Sequence, residues 1–241
     1  MYSPFKPVVP LKKDHDRPFA SHLFGGFSVK NVFKDHKIFK FSLEIGVLGP
    51  AAFGEEIQDF IHSTFNLIEA QGWEYQIQNA LSFSFNTSFI QRLFMNEARY
   101  FDINWDSTIQ LGTVYTEVNS GINLRVGLLP LQEIMNSIAY KTQLNGDNTN
   151  HYSASESFFF IKPMFSYALY NATIQGSFLN KTSEVTQEII PLIFKVELGV
   201  KFTLKNLNFG YSYNYNTNKS KELRYIDGNQ FGKITFNYSW N

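Results

Sequence analysis

The chain has 241 residues, no net formal charge at pH 7 and no cysteine, which excludes disulfides, thiolate metal sites and cysteine nucleophiles. A neutral chain also gives no electrostatic reason to expect nucleic-acid binding. Aromatic residues make up 17% of the chain, yet the mean hydropathy is only −0.21. Strands that alternate apolar with polar side chains produce this combination in outer-membrane barrels. Soluble β-sandwiches can produce it as well, so composition leaves both classes open.

The chain opens with a proline-containing loop over 1–17, and segments with strand patterns follow it. Alternation of apolar and polar residues is clearest in 38–48 and 189–204, where it continues for about ten residues. A polar connection over 130–152 predicts a mobile loop. The predicted strands are, approximately, 19–33, 38–48, 73–94, 99–117, 121–129, 155–170, 172–180, 189–204, 207–217 and 234–240.

Strands of about ten residues suit tilted membrane spans better than the shorter strands of soluble sheets. Lysines and glutamates such as Lys195, Glu197 and Lys201 alternate with apolar residues, and we expect them to stay solvated in a wet barrel interior. The sequence therefore predicts an all-β fold, an antiparallel transmembrane β-barrel of about ten strands. We expect residues 1–241 to form one domain, without a second domain or an internal repeat.

One segment, near 52–68, has the period of an amphipathic α-helix instead. Its apolar face consists of Phe53, Ile57, Phe60, Ile61, Thr64 and Ile68. A second face carries Glu55, Gln58 and His62, and Glu69 joins it if the helix extends that far. Because histidine titrates near neutral pH, this face is a candidate proton-transfer cluster. The alternative is an ordinary solvated helix edge.

The residues around this helix resemble a known family. GPAAFGEEIQDFIH, which begins at Gly49, and the later GWEYQIQN resemble the lipid A 3'-O-deacylase family of bacterial outer membranes (LpxR-like). DRPFASHLFGG near the start, LGTVYTEVNSGINLRVGLLP in the middle and DGNQFGKITFNYSW at the end are also similar to that family. The resemblance covers nearly the whole chain and is most specific at the Gly-Pro pair, Gln58, His62 and Gly72-Trp73.

The resemblance implies an outer-membrane hydrolase that removes the 3'-acyloxyacyl group of lipid A by calcium-assisted ester hydrolysis. It implies His62 as the general base, Gln58 as a donor to the substrate or oxyanion, and Glu69 as a residue that orients or stabilises the imidazole. The implied partners are lipid A or lipopolysaccharide and the lipid of the outer membrane, and we expect a monomer. The five histidines lack paired metal spacing, so a zinc site is not expected.

The chain departs from the family at its beginning. The family has twelve strands, and its first strands carry an Asn-Asp pair and a Thr or Ser of the calcium and catalytic site. We therefore expect an N-terminally incomplete barrel without a signal peptide, with the calcium ligands upstream of Met1. The family's catalytic lysine should lie near Met1, but neither Lys6 nor Lys12 can be assigned to it. The alternative is a non-catalytic barrel, a shortened relative or a small porin-like protein that has lost the calcium site.

Overall fold

The structure is a computed structural model that describes residues 1–4, 8, 10–33, 35–134, 137–140, 155–221 and 228–238. In this part of the chain, no helix is both long and apolar enough to cross a bilayer. The main elements are β1 (His22–Phe33), β2 (Lys37–Leu48), α1 (Gly54–Thr64), β3 (Ala80–Met95), β4 (Phe101–Gly112), β5 (Tyr115–Gly127), β6 (Ser155–Asn171), α2 (Ala172–Gln175), β7 (Leu192–Leu204), β8 (Leu207–Asn216) and β9 (Asn229–Tyr238).

The described strands form a single sheet in the order β1 to β9, and every pair of neighbours is antiparallel. Each strand therefore pairs only with its neighbours in sequence. The register places like residues opposite each other: Val47 faces Leu81, while Gly46 faces Ser82. The antiparallel all-β prediction is confirmed, and nine described strands come close to the expected ten.

The two faces of the sheet are inverted relative to a soluble protein. Apolar side chains on the outer face are exposed, for example Ile45 at 69% and Leu81 at 70%, whereas Ser82 and Asp102 on the inner face are almost fully buried. Such a band of exposed apolar side chains is stable only against lipid. A β-sandwich would bury its apolar faces between two sheets, so the soluble alternative is wrong.

A segment of the β5–β6 connection lies inside the curled sheet. Lys30 of β1 donates through Nζ to the Tyr140 carbonyl oxygen at 2.8 Å, and Lys201 of β7 donates to that of Ala139 at 3.1 Å. Since β1 and β7 are distant in the strand order, the sheet must curl around residues 137–140. The rest of the predicted loop, 141–152, lies outside the described residues.

Some charges in this lumen are buried rather than solvated. Arg125 of β5 is fully buried and forms ion pairs with Asp102 of β4 and, at 3.2 Å, with Glu156 of β6. Glu156 also accepts hydrogen bonds from the Gln132 backbone at 3.0 Å and from the Ser137 hydroxyl at 2.7 Å. Buried charges are tolerated because these partners replace water. The expectation that lumenal charges stay solvated is wrong for this cluster.

The turn between β4 and β5 differs from the prediction, which placed the break between 117 and 121. It lies at residues 113–114 instead, where the Thr113 hydroxyl donates to the Leu81 carbonyl at 2.9 Å and accepts from the Phe83 N–H at 3.0 Å. Gly121 lies within β5, and a Cβ there would lie 2.2 Å from the Pro163 carbonyl oxygen. The glycine thus permits a close approach of β5 and β6 and does not end a strand.

The strand predicted over 172–180 is wrong. Asn171 caps the short helix α2 because its side-chain oxygen accepts from the backbone N–H of Thr173 at 3.0 Å and from the Thr173 hydroxyl at 2.7 Å. Gly176 ends the helix with a φ of 79°. Local side-chain capping overrides the strand propensity of this segment.

Candidate active site

The candidate site lies on the connection between β2 and β3, whose two ends are clamped together. Gly49 has a φ of 97°, and a Cβ there would lie 2.7 Å from both the Asn79 nitrogen and the Ile77 carbonyl oxygen. The side-chain oxygen of Asn79 accepts a hydrogen bond from the Ala51 N–H at 2.8 Å. Only glycine allows the chain to leave β2 and return to β3 at this distance.

Helix α1 presses its N-terminus against the protein through a second glycine. A Cβ on Gly54 would lie 2.4 Å from the Ser21 Cβ and 2.9 Å from the ring of Trp73. Gly54 and Gln58 are the buried residues of the helix. The face that contacts the protein is therefore the one that carries Gln58 and His62, and the apolar face is turned away from the core.

A chain of hydrogen bonds fixes the orientation of Gln58 and His62. The Trp73 indole N–H donates to Gln58 Oε1 at 2.9 Å, so the Gln58 amide nitrogen points to His62, where it lies 3.4 Å from Nε2. The other ring nitrogen, Nδ1, lies 2.5 Å from the Ile68 carbonyl oxygen. Because that carbonyl can only accept, Nδ1 carries the proton and Nε2 is the basic nitrogen.

Trp73 is the site residue whose role the sequence did not reveal. It is 1% exposed, and its ring centroid lies 4.7 Å from that of Phe19. The preceding Gly72 has a φ of 105°, and a Cβ there would lie 2.2 Å from Cε1 of His15. The role of Trp73 could have been suspected only because Gly72-Trp73 is a landmark of the family resemblance.

Glu69 is not brought onto the helical face with His62. The helix ends at Thr64, a turn before the predicted end at 68, since Asn66 adopts a left-handed φ of 52° and Leu67 N–H bonds back to the His62 carbonyl at 2.8 Å. Glu69 is exposed, and among the described residues no hydrogen bond or ion pair joins it to His62. Its catalytic role stays a prediction.

The acidic residues of α1 form a separate side of the helix. Partial burial raises the pKa of Glu55, and the neighbouring Asp59, Glu56 and Glu74 raise it further. Calcium takes six to eight oxygen ligands, but across the described residues no three His, Asp or Glu side chains are grouped so that they could hold a metal ion. The residues described here do not fit a calcium site, and the cofactor stays a prediction.

Within the described part of the N-terminal segment, no lysine is found at the site where the resemblance places one near Met1. Lys6 lies outside the described residues. Lys12 forms an exposed ion pair with Glu184 at 3.0 Å, on a short helical turn over Lys12–Asp14. Lys12 is therefore engaged elsewhere.

Comparisons with known proteins agree with this fold. The family model for outer membrane protein LpxR matches residues 1–240. The solved structure of LpxR from Salmonella typhimurium superimposes with a TM-score of 0.76 at 18% identity, covering 98% of this chain and 78% of that one. Among curated proteins, no sequence matches. The structural likeness shows the barrel fold, and the family match over nearly the whole length shows that this chain belongs to the LpxR family of outer membrane proteins.

Proposed function

We propose that the chain is an outer-membrane hydrolase that removes the 3'-acyloxyacyl group of lipid A, with His62 as general base. Membership of the LpxR family supports this substrate. The observation that carries the proposal is the continuous hydrogen-bond chain from Trp73 through Gln58 and His62 to the Ile68 carbonyl. Such a chain gives a histidine a defined tautomer and a defined direction, which a solvated helix edge does not need.

In this mechanism, a water molecule replaces the 3.4 Å contact of the Gln58 amide at His62 Nε2. Nε2 then takes a proton from this water as the water oxygen attacks the ester carbonyl. The Ile68 carbonyl oxygen keeps its hydrogen bond to Nδ1–H throughout, and it stabilises the imidazolium as the charge forms. The imidazolium then returns its proton to the leaving alkoxide when the carbon–oxygen ester bond breaks. The products are a carboxylic acid and a sugar hydroxyl.

Gln58 is the proposed donor to the oxyanion. The Trp73 indole occupies its amide oxygen, so its amide nitrogen is turned towards His62. A donor held in place before the reaction stabilises the developing negative charge without reorganising. We propose Glu69 as a further contributor because it follows directly after Ile68, whose carbonyl holds His62.

Calcium assistance and a monomeric state are part of the proposal through the family resemblance. Since the described residues supply no calcium donor set, no step above depends on the ion. The effect of a chelator on activity tests calcium assistance separately.

The structure disfavours a pore, the porin-like form of the alternative, whereas a non-catalytic shortened relative stays the alternative that the activity test decides. A pore needs a water-filled lumen, but Leu131 and Ile134 of the β5–β6 connection are fully buried. The Arg125 cluster and the contacts of Lys30 and Lys201 fix the same connection inside the barrel. The lumen around residues 131–140 is thus filled by the protein's own side chains.

The test is mass spectrometry of lipid A from cells that produce the protein, His62→Ala or Gln58→Ala. We expect the wild type to remove the 3'-acyloxyacyl group and His62→Ala to lose about 10²–10⁴-fold in rate, the usual contribution of a general base. Glu69→Gln and a chelator test the remaining elements in the same assay. Folding of each variant is checked by its heat-dependent mobility on a denaturing gel. Full activity of a well-folded His62→Ala protein would remove His62 from the mechanism.

A further inference from the structure

Helix α1 and the loop after it expose a continuous set of large apolar side chains. Ile57 is 51% exposed, Phe60 70% and Ile68 76%. The other exposed members of this set are Phe53, Phe65 and Leu67. A surface in water does not maintain a patch of this kind without a partner.

The helix separates its side chains into three sides. Gly54 and Gln58 face the protein. Ile57 and Phe60, together with Phe53 just before the helix, lie on one flank at spacings of three and four residues, and Asp59 lies on the opposite flank with the other acidic residues. This division into a buried, an apolar and an acidic side is typical of a helix that lies in a membrane interface.

The apolar set is continuous with the lipid-facing surface of the barrel. The connection that carries α1 leaves β2 and enters β3, where Val47 and Leu81 are paired on the outer face of the sheet. Leu81 is 70% exposed and Ile45 of the same face 69%. The helix is therefore joined directly to two strands whose outer faces expose apolar side chains, and Phe53 continues this exposure at its start.

The position of the helix in the strand order identifies the leaflet. The end of the sheet that carries α1 also carries the connection 172–191 and the two-residue turn 113–114. The other end has the short turns 96–100 and 205–206 and the β5–β6 connection, whose described residues 137–140 lie inside the barrel. Outer-membrane barrels place short turns on the periplasmic side and longer loops outside. Among the described residues, the long connections that stay outside the barrel, 49–79 and 172–191, lie at the α1 end, so we infer that the helix lies at the extracellular end, next to the outer leaflet.

We propose that α1 and residues 65–68 are a membrane-docking surface whose occupant is the acyl-chain layer of the outer leaflet. Phe60 and its apolar neighbours insert beside the barrel wall, while Asp59 on the acidic side remains in water. The buried side then holds Gln58 and His62 at the level where acyl chains meet headgroups. This docking does not depend on hydrolysis, because it follows from exposure and position alone.

The test uses nitroxide labels, since the chain contains no cysteine and each introduced cysteine is unique. Phe60→Cys reports on the apolar flank, Asp59→Cys is the matched control on the acidic flank, and Val200→Cys marks the lipid-facing barrel wall. Each labelled protein is reconstituted into phosphatidylcholine vesicles that contain lipopolysaccharide. Collisions with oxygen, which concentrates in lipid, are compared with collisions with a water-soluble nickel chelate.

At position 60 we expect oxygen to dominate, as at position 200, and at position 59 the nickel chelate to dominate. Ile57→Cys provides a second measurement of the apolar flank. The proposal would be overturned if position 60 resembled position 59. Exclusion of both reagents at position 60 would show a covering protein segment, and dipolar broadening there would show a second copy of the chain; either result would also overturn it. Because no turnover is measured, failure of the docking proposal is distinguishable from failure of the proposed activity.

Discussion

Replacement of Trp73 by phenylalanine tests whether the indole N–H positions the proposed catalytic pair. The change keeps an aromatic ring against Phe19 but removes the donor that holds Gln58 Oε1 at 2.9 Å. Gln58 is only 7% exposed, so water cannot easily take the donor's place. The Gln58 amide becomes free to rotate away from His62.

The expected magnitude follows from the hydrogen bond that is lost. Leaving a buried polar group without its partner costs about 1–3 kcal/mol. If the transition state loses this amount of stabilisation by Gln58, kcat falls by about 10- to 100-fold, because about 1.4 kcal/mol corresponds to a factor of ten. KM should change less, since Trp73 is almost fully buried and does not offer a surface to the substrate.

The assay is lipid A hydrolysis by purified wild type, Trp73→Phe, Gln58→Ala and the double variant. If Trp73 acts through Gln58, its substitution should have little further effect once Gln58 is alanine. An equal loss of kcat in both backgrounds would refute the positioning role, and so would an unchanged kcat in the single variant. Heat-dependent gel mobility of all four proteins separates loss of function from loss of folding.

Three further predictions concern the barrel. Val200→Arg on the lipid face should destabilise the barrel by about 2–4 kcal/mol, whereas Asn214→Arg on the lumenal face should cost less; urea unfolding in lipid vesicles measures both, and equal effects would contradict the assignment of the faces. Arg125→Met should destabilise the protein by about 3–5 kcal/mol because it leaves two buried carboxylates without their cation; an unchanged unfolding midpoint would show that the ion pairs are not needed. Burial, and next the charge of Lys195, lowers the pKa of Lys219 to about 8. NMR of methylated lysines should show a resonance that titrates near this pH and is absent in Lys219→Arg. Between about pH 8 and pH 10.5 stability should rise with pH because the unfolded chain binds the proton more tightly.

Strand patterns were predictable where one face contacts lipid and the other faces the lumen. In β2 and β7 the strict alternation follows directly from this difference in environment, so period-two reasoning located both strands. The turn at 113–114 could not be found in this way. It contains neither glycine nor proline, and Thr113 makes it with hydrogen bonds to the backbone of β3, whose proximity is a property of the folded sheet.

The sequence predicted that the helix exists and which residues share its apolar face. It did not predict where the helix ends or what surrounds that face. The apolar period continues through Ile68, yet the helix stops at Thr64. The apolar residues after Thr64 are exposed. They extend the exposed apolar surface of the helix from a loop and do not require helical geometry. Periodicity identifies which residues share an environment, and it does not state whether that environment is a core or a bilayer.

Helical spacing and the family resemblance suggested the pair Gln58 and His62. Neither suggested the contacts that hold these two side chains in place. The Ile68 carbonyl reaches His62 because the chain reverses at Asn66. Trp73 reaches Gln58 because the segment after Gly72 docks under the helix. Both contacts depend on loop geometry that one sequence does not reveal.

The strand order has a consequence for how the protein is built. The residues that contact α1 and Gly72, from His15 and Ser21 to Trp73, lie in the first third of the chain, and the loop that carries α1 and Trp73 is closed by the pairing of β2 with β3. The chain entropy lost on closing this 31-residue loop grows only with the logarithm of the loop length, so this unit can form early in assembly. The later hairpins then add one strand after another to an edge that already exists. A mutation in β7 or β8 should therefore slow completion of the barrel and leave the geometry around His62 intact.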